Sequence, residues 1–118
     1  MNDLGREGED NAAACLKTLG FKVVERGWYC PTGEIDIIAV EGKILVFVEV
    51  KTRSTGAFGG AFAAVTRTKQ KKITKTALSY IKAKKLKPQS VRFDVVAIEE
   101  GRPPELLRNA FIPPRYTF

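Results

Sequence analysis

One stretch, residues 33–53, constrains the fold of this chain more than any other. Two runs rich in β-branched residues, 33–40 and 44–53, flank a short loop that contains Gly42. This pattern predicts a β-hairpin. The two runs are too apolar for a hairpin with both faces in water, so we expect the hairpin to lie within a packed sheet.

Charged residues interrupt the apolar hairpin. Asp36 lies within the first run, and Glu49 and Lys51 lie near the end of the second. Because side chains alternate along a strand, Glu49 and Lys51 share one face of the sheet. Whether Asp36 shares that face depends on the register of the hairpin.

Pairing of Val40 with Lys43 or with Leu45 puts the two acids on one face. They are then direct or diagonal cross-strand neighbours, about 5–8 Å apart. Pairing of Val40 with Ile44 puts them on opposite faces. On a shared face the two carboxylates repel each other, and burying one of them costs several kcal/mol unless another group compensates its charge.

A divalent cation between Asp36 and Glu49, with Lys51 beside it, is the simplest compensation. The alternative is an ion-paired strand end, in which Lys51 pairs with either acid and no metal is held. The chain has no histidine, which excludes Ser-His and Cys-His nucleophile pairs and every His-ligated metal site. A metal would therefore need oxygen ligands, which suit Mg²⁺ or Mn²⁺.

Composition indicates an ordinary globular protein. With 118 residues, 44% of them apolar and 28% charged, we expect one domain over 1–118, with a core over 1–100 and a proline-broken tail, 101–118, packed on it. No apolar run reaches the roughly 20 residues of a membrane span, and the polar first residues are unlike a signal peptide. The two cysteines are too few for a zinc cluster or a disulfide framework, so a cytoplasmic location is expected.

Basic residues are concentrated in one part of the chain. The net charge is +7, and residues 50–93 contain 12 of the 20 Lys and Arg residues and no Asp or Glu. This asymmetry favours a polyanionic partner such as a nucleic acid, and a solvated lysine-rich face is the alternative. The candidate nucleic-acid-binding residues are Arg53, Arg67, Lys69, Lys71, Lys72 and Lys75.

Two helices are predicted. The first begins at residue 2 or 3 and ends at Gly20, and the second begins after Thr66, ends near Lys85 and stops before Pro88. Helical spacing predicts the buried stripe of each. The stripes are Ala12, Cys15, Leu16 and Leu19 in the first helix, and Ile73, Ala77, Tyr80 and Ile81 in the second.

Each stripe continues to a polar residue. Glu9 extends the first stripe, and it is either paired at the rim with a base such as Arg6 or is a third acid of the same metal site. Gly5 and Gly8 would allow a close approach there. Gln70 extends the second stripe, where it could bind a phosphate or a water, or cap neighbouring backbone.

The remaining segments complete the sheet. A first strand is predicted over 21–29 and a fourth over 91–98, in which Arg92 and Asp94 are expected to pair with each other or with a neighbouring charge rather than act chemically. Residues 54–64 are glycine-rich and predict either a mobile flap, with Phe58 and Phe62 as anchors or stacking groups, or a plain connecting loop. The apolar content of the first strand is Phe21, Val23 and Val24, and Trp28 and Tyr29 are expected to pack on the sheet rather than stack on bases. The side chains expected to attach the tail to the core are Leu106, Leu107, Ala110 and Phe111.

The element order α-β-β-β-α-β predicts an α/β fold: a central mixed sheet of four to five strands between helices, as a three-layer-like sandwich. Within this order, Asp36 followed by Glu49-Val50-Lys51 resembles the Asp…Glu-x-Lys signature of the PD-(D/E)xK nuclease superfamily, whose core is restriction-endonuclease-like. Further motifs resemble the YraN-type family of small bacterial proteins, which is commonly described as endonuclease-like and related to archaeal Holliday junction resolvases. These motifs are Gly5-Arg6-x-Gly8-Glu9-Asp10, Gly33-Glu34-Ile35-Asp36, residues 47–53, Val65-Thr66 with Lys69-Gln70, and residues 92–95.

The resemblance implies a role for each matching residue. Asp36, Glu49 and the Val50 carbonyl would hold Mg²⁺ or Mn²⁺, and Lys51 would orient or deprotonate the attacking water or stabilise charge on the phosphate. The helix-borne acid and the polar residue of the second helix would be Glu9 and Gln70. The superfamily expects Pro before the Asp, and Ile35 stands there instead.

The resemblance and the residues together predict a metal-dependent endonuclease that hydrolyses phosphodiester bonds of DNA, branched or otherwise structured DNA included. A homodimer would suit a two-fold substrate. Two alternatives stay open: a nucleic-acid-binding or assembly module that keeps the fold without turnover, and an RNase.

Overall fold

The computed structural model describes residues 3–53 and 65–113, with the side chains of residues 5–52 and 65–113. Its elements are α1 (Asp3–Thr18), β1 (Lys22–Cys30), β2 (Gly33–Glu41), β3 (Ile44–Arg53), α2 (Arg67–Ala83), β4 (Ser90–Glu99) and β5 (Glu105–Leu107). The predicted α/β fold and element order are confirmed. Residues 54–64, with the predicted flap or loop and its Phe58 and Phe62, lie outside the described residues.

The strands form one five-stranded mixed sheet in the order β1-β2-β3-β4-β5. β3 and β4 are parallel, because α2 crosses over between them, and the other neighbours are antiparallel. The short β5 pairs with β4 at one edge of the sheet, and β1 forms the other edge. Beyond β5, Phe111 is buried and stacks on Phe93 at 4.9 Å between ring centroids, so the end of the described chain is attached to the core.

A helix covers each face of the sheet, because alternate residues of β3 point to opposite sides. Val46 and Val48 pack in one cluster with α1, whereas Leu45 and Phe47 pack in a second cluster with α2. The α1 side contains Ala12, Ala13, Leu16, Phe21, Ile37, Ala39 and Val96; the α2 side contains Ile35, Ile38, Ile73, Ala77, Tyr80, Phe93 and Phe111.

The first helix ends as predicted at Gly20, which has a φ of +94°. The Phe21 N–H donates to the Leu16 carbonyl at 2.9 Å and closes the last turn. The prediction that Leu19 is buried is wrong, since it is 46% exposed. Leu19 follows the last helical residue, so helical spacing no longer decides where its side chain points, and Ala13 completes the buried stripe instead.

Edge positions in the sheet explain two further errors. Tyr29 of β1 is predicted to pack on the sheet and Leu107 of β5 on the core, but they are 77% and 39% exposed. Val24 of β1 is also 49% exposed. The register of β1 against β2 shifts between Val23 and Glu25, so Val24 is the extra residue of a β-bulge and faces water. Trp28 does pack as predicted, with its ring perpendicular to that of Tyr80 at 5.2 Å.

Thr66 caps α2 as predicted, accepting a hydrogen bond from the Lys69 N–H at 3.3 Å. The helix ends at Ala83, two residues before the predicted end. Its inner face also holds Thr74 and Thr76, which are fully buried although both are polar. Each hydroxyl donates to the backbone carbonyl four residues earlier, and the Thr76 hydroxyl is also within hydrogen-bond distance, 3.2 Å, of that of Thr32.

Candidate functional site

The hairpin register brings the two predicted acids together. Val40 lies opposite Leu45, one of the two registers that put Asp36 and Glu49 on one face. The β2–β3 pairing extends as far as Ile37 opposite Val48. The next residue of each strand, Asp36 and Glu49, lies beyond this pairing, and the two carboxylates are close enough for the charge of Glu49 to raise the pKa of Asp36.

Asp36 takes the place of a backbone acceptor at this point. Its Oδ2 accepts a hydrogen bond from the Val50 N–H at 2.8 Å, so a side chain rather than a strand carbonyl bonds to β3. β2 and β3 therefore separate here, and we call this point the fork, defined by Asp36, Glu49 and Val50. Glu49 and Lys51 alternate with Val48 and Val50, so they lie on the α2 side of the sheet.

The regular alternation of side chains breaks beside the fork. In β2, Ile35 packs on the α2 side and Ile37 on the α1 side, although residues two apart in a regular strand share a face. In β1, Gly27 lies between Arg26, which pairs with Ile37, and Trp28, which pairs with Ile35. The φ of Gly27 is +61°. A backbone in this conformation favours glycine, and it allows both sides of the sheet to contribute residues near Asp36.

Burial and like charge act together on Asp36. Loss of hydration, followed by repulsion from Glu49 and smaller contributions from Glu9 and Glu34, raises the pKa of Asp36 to about 7. The hydrogen bond from the Val50 N–H lowers the pKa but does not offset these effects. The neighbouring residues therefore compensate the negative charge of Asp36 only poorly.

Lys51 lies against the same pair of acids. Its Nζ is 3.2 Å from Glu49 Oε1, the ion pair expected of a structural strand end. Burial lowers the pKa of Lys51, but a hydrogen bond involving Lys69 and the charges of Glu49 and Asp36 outweigh it and leave the pKa raised. Lys51 is thus an ammonium at neutral pH, which suits it to attract a phosphate oxygen or orient a water rather than to remove a proton.

Glu9 approaches from α1. It is buried, with 7% exposure, and its Oε1 accepts a hydrogen bond from Arg26 Nε at 2.9 Å. The expected pairing of Glu9 with a base is therefore confirmed, but the base is Arg26 of β1 rather than Arg6, because the buried side of α1 faces the sheet. A Cβ on Gly8 would lie 2.5 Å from Thr52 Oγ1, so a glycine is required for α1 to lie this close to β3, as predicted.

The acids do not form a ready-made cluster. Across residues 3–53 and 65–113, no three Asp, Glu or Cys side chains are close enough together to hold a metal ion. Two carboxylates, Asp36 and Glu49, are at the fork, and Glu9 is held apart by its ion pair. Mg²⁺ is nevertheless commonly bound through one or two carboxylates, with waters and substrate phosphates completing its octahedron. Hard oxygen donors with uncompensated charge fit such an ion.

Gln70 and the basic residues lie on α2, the helix that covers the Glu49 side of the sheet. The Gln70 amide donates to the Val65 carbonyl at 3.2 Å, the capping role that was one of its two expected roles. The Arg53 side chain lies outside the described side chains. The other predicted nucleic-acid-binding residues are exposed: Arg67, Lys69, Lys71, Lys72 and Lys75.

Sequence reasoning missed Arg26, which binds two acids of α1 at once. Its Nε donates to Glu9, and its Nη2 donates to Asp10 Oδ1 at 2.5 Å. These partners are 17 and 16 residues away. The sequence around a single arginine in a predicted strand does not predict ion pairs with a helix so far away in the chain. The neighbouring Gly27 indicates only that the strand is irregular here.

A groove of about 920 Å³ lies outside the fork, between α1 and the residues that follow β4. Its walls include Cys15, Glu99 and Pro104, and Gly8 and Thr52 also line it. Neither Asp36 nor Glu49 does. Within the described residues, neither helix is both long and apolar enough to cross a membrane.

Comparison with known proteins places these motifs in a family. The model of the uncharacterised protein family UPF0102 matches residues 8–98. A UPF0102 protein of Geotalea daltonii is 52% identical over 95 residues, covering 80% of this chain and 75% of the relative. Another, of Geobacter sulfurreducens, is 46% identical over 112 residues, covering 92% and 88%.

A more distant relative covers almost its whole length. A UPF0102 protein of Caldicellulosiruptor saccharolyticus is 40% identical over 114 residues, covering 92% of this chain and 97% of the relative. The matched region contains the fork, Glu9 and all of α2. The chain therefore belongs to the UPF0102 family, the YraN-type family that its motifs predicted.

Proposed function

We propose that this protein is a metal-dependent nuclease of the PD-(D/E)xK type that hydrolyses phosphodiester bonds of DNA. The observation that carries the proposal is the fork. Two acids face each other there, an ammonium lies 3.2 Å from one of them, and the pKa of the other is raised to about 7. Strongly perturbed groups of this kind are concentrated at functional sites.

The residues of the fork have complementary roles in this proposal. Asp36, Glu49 and the Val50 carbonyl would hold Mg²⁺ or Mn²⁺, an ion that when bound supplies a nucleophilic water at neutral pH and neutralises charge on the phosphate. Lys51, as an ammonium beside Glu49, would stabilise the negative charge that develops on the phosphate. Glu9, held apart on α1 by Arg26, would act on the ion only through its charge, which also bears on Asp36. Gln70 would hold the start of α2 by capping the Val65 carbonyl.

The surface around the fork suits a polyanion. Arg67, Lys71 and Lys75 are exposed on α2, which packs on the same side of the sheet as Glu49 and Lys51. α2 has no acid in its first turn, so its N-terminal dipole and its basic side chains attract negative charge together. We expect the DNA backbone to contact this surface while one phosphate enters the fork.

A second candidate function is nucleic-acid binding without turnover. The ion pairs Glu49–Lys51 and Glu9–Arg26 favour it, because they partly compensate these acids without a metal. This candidate predicts salt-sensitive DNA binding that is unaffected by loss of Asp36, and no cleavage in Mg²⁺ or Mn²⁺.

A cleavage assay separates the two candidates. Linear duplex, four-way junction and single-stranded DNA, together with an RNA of the same sequence, are incubated with the protein in Mn²⁺ or in a chelator. The nuclease proposal predicts cleavage in Mn²⁺ only, lost in Asp36→Ala and retained in Glu34→Gln, an exposed acid on the same strand. Salt-sensitive binding without cleavage of any DNA would overturn the proposal, and cleavage of RNA alone would establish the RNase.

Lys51→Ala tests the chemical step. We expect cleavage to fall by about 10²- to 10³-fold, the size of effect seen when one group that stabilises transition-state charge is removed. Mn²⁺ affinity, measured by calorimetry, should be unchanged or higher, since the variant removes a cation from the fork. A parallel loss of Mn²⁺ binding would show instead that Lys51 only maintains the structure of the fork.

A further inference from the structure

One face of α1 is not covered by the sheet and forms a wall of the 920 Å³ groove described above. The opposite wall is the end of β4 and the turn that follows it, residues 98–102 and 104. At about 1.5 Å per helical residue, the groove is about 16 Å long, enough for about five residues of an extended chain. The wall residues of α1 recur at helical spacing along most of the helix: Glu7, Asn11, Ala14, Cys15 and Thr18.

The floor of the groove offers apolar contact area. Ala14 is exposed there, and Cys15 and Ile98 are partly buried. Leu19, just after the end of α1, is 46% exposed and lines the same groove. An apolar side chain that lies beside other apolar groups on a concave surface gains free energy when a partner covers it. The groove can therefore hold apolar side chains of a partner.

The rim of the groove carries negative charge. Glu7 on one wall and Glu100 on the other are exposed, and Glu99 lies beside Glu100. Among the described residues that line the groove, the one base is Arg102, which is 3.8 Å from Glu99 Oε2 and has a side chain that is 75% exposed. The rim is thus acidic on a chain whose net charge is +7. Such a rim repels phosphates and attracts a basic partner.

The groove is also separate from the surface that we propose for DNA. α1 packs on one face of the sheet, and α2, with its exposed lysines, packs on the other. A partner that binds in the groove therefore leaves the basic face of α2 uncovered.

We propose that the groove is a docking site for a segment of a partner protein that carries Lys or Arg beside apolar side chains. The apolar side chains of this segment lie against Ala14, Cys15 and Leu19, and its basic side chains reach the acids of the rim. Apolar contact supplies most of the affinity, and the acids on both walls select the sign of the partner's charge. This inference goes beyond the proposed nuclease function and does not depend on it.

Selection from a random peptide library tests the chemistry of the partner. The full chain is immobilised, and the peptides that it retains are sequenced. We expect the retained peptides to combine Lys or Arg with Leu, Ile or Phe. Recovery of no peptide above background, or of peptides with no excess of basic residues, would overturn the proposal.

Calorimetry with one retained peptide tests the place of binding. Leu19→Ser should weaken binding about tenfold, the worth of one apolar side chain that becomes buried. Val24→Ser is the matched control and should stay within about twofold of wild type, because Val24 is 49% exposed but lies on β1, outside the groove. Equal effects of these two variants would overturn the proposal.

The rim acids are tested in the same way. Glu100→Gln should weaken binding of the peptide a few-fold, and more so at low salt than at high salt, because an exposed charge is screened by ions. Glu34→Gln, which removes an exposed acid of β2 outside the groove, is the matched control and should have no such effect. Affinities that do not depend on salt or on Glu100 would overturn the proposed recognition of charge.

A second copy of the chain is the competing occupant. Sedimentation of the free protein over a range of concentrations should show the same state of association for wild type and for Leu19→Ser. A wild-type dimer that Leu19→Ser dissociates would assign the groove to a second copy and overturn the proposed partner protein. Neither result bears on the nuclease proposal, which the cleavage assay tests separately.

Discussion

Two groups of acids lie in and beside the β2–β3 hairpin, and their surroundings differ. In the first group, Asp94 of β4, which pairs with Val48 of β3, is buried and accepts two hydrogen bonds from Arg92, at 2.8 and 2.7 Å, and one from the Asn109 N–H at 2.9 Å. Glu41, beside the turn, accepts from Arg92 and from Arg108. The predicted pairing of Arg92 with Asp94 is confirmed, and both acids of this group have an arginine partner.

At the fork, the second group, Asp36 accepts a hydrogen bond from one backbone N–H and is repelled by the charge of Glu49. The contrast appears in the pKa values of the two acids. Hydrogen bonds from Arg108 and Arg92 outweigh burial and lower the pKa of Glu41. Burial and the charge of Glu49 raise the pKa of Asp36. The fold can therefore neutralise an acid with arginine, and at the fork it does not do so for Asp36. An acid with uncompensated charge does not stabilise the fold, and this supports the proposed cation-binding role of Asp36.

Removing one acid from each group, Asp94 or Asp36, should give the largest difference. Asp94→Ala leaves Arg92 half-paired and the Asn109 N–H without its acceptor, and we expect a loss of about 3–5 kcal/mol in the free energy of unfolding. Asp36→Ala removes a repelled carboxylate, so in a chelator at pH 8 the protein should be no less stable than wild type. Urea unfolding of both variants measures the difference, and equal losses would contradict the comparison.

The pH dependence of stability should have opposite signs for Asp36 and Glu41. The pKa of Asp36 is raised from 3.8 to about 7, so between these values the folded chain keeps a proton that the unfolded chain has lost. Stability from this group is fully present below about pH 4 and is lost as the pH rises to about 7, by about 2–4 kcal/mol. Glu41, with a lowered pKa, contributes stability above its ordinary range that is lost as the pH falls.

Unfolding of wild type and Asp36→Asn in a chelator, at about pH 5 and pH 8, isolates the Asp36 contribution. The difference between the two proteins should shift in favour of the variant at the higher pH. Mg²⁺ at pH 8 should restore wild type and leave the variant unchanged. A difference that is constant with pH would show that Asp36 titrates normally.

The approach of α1 to the fork depends on Gly8 and should be sensitive to one methyl group. Gly8→Ala puts a Cβ 2.5 Å from Thr52 Oγ1, and we expect a loss of about 1–3 kcal/mol. Thr52→Ala in the same chain removes the opposing oxygen and should recover most of that loss. Thermal unfolding of the two single variants and the double variant checks this, and additive losses would mean that the two residues do not oppose each other.

The smallest expected effect concerns the basic face of α2. Lys75→Ala should weaken DNA binding only a few-fold, equally for all sequences, and reduce the slope of log affinity against log salt by about one. Lys17→Ala, an exposed lysine on α1 at the other side of the sheet, is the matched control and should have no such effect. Equal effects of the two changes would argue against a binding surface on α2.

Much of this architecture could be predicted from local patterns. Alternation and turn residues predicted the hairpin, and its two allowed registers included the observed one, in which Gly42 and Lys43 form a two-residue loop. The cap at Thr66 and the stop at Gly20 were predicted because both depend on a few neighbouring residues. Errors fell on Leu19, Tyr29 and Leu107, where a helix end or a sheet edge decides exposure.

The sequence by itself determined the order of helices and strands, the pairing of Arg92 with Asp94 and the identity of the fork residues. These depend on spacing within one element or across one tight turn. Only the tertiary structure decided that Glu9 is held by Arg26, that β1 reverses its faces at Gly27, and which acids keep uncompensated charge. The physical reason is that burial and ion pairing depend on elements that are distant in sequence and become neighbours only when the sheet and α1 pack together.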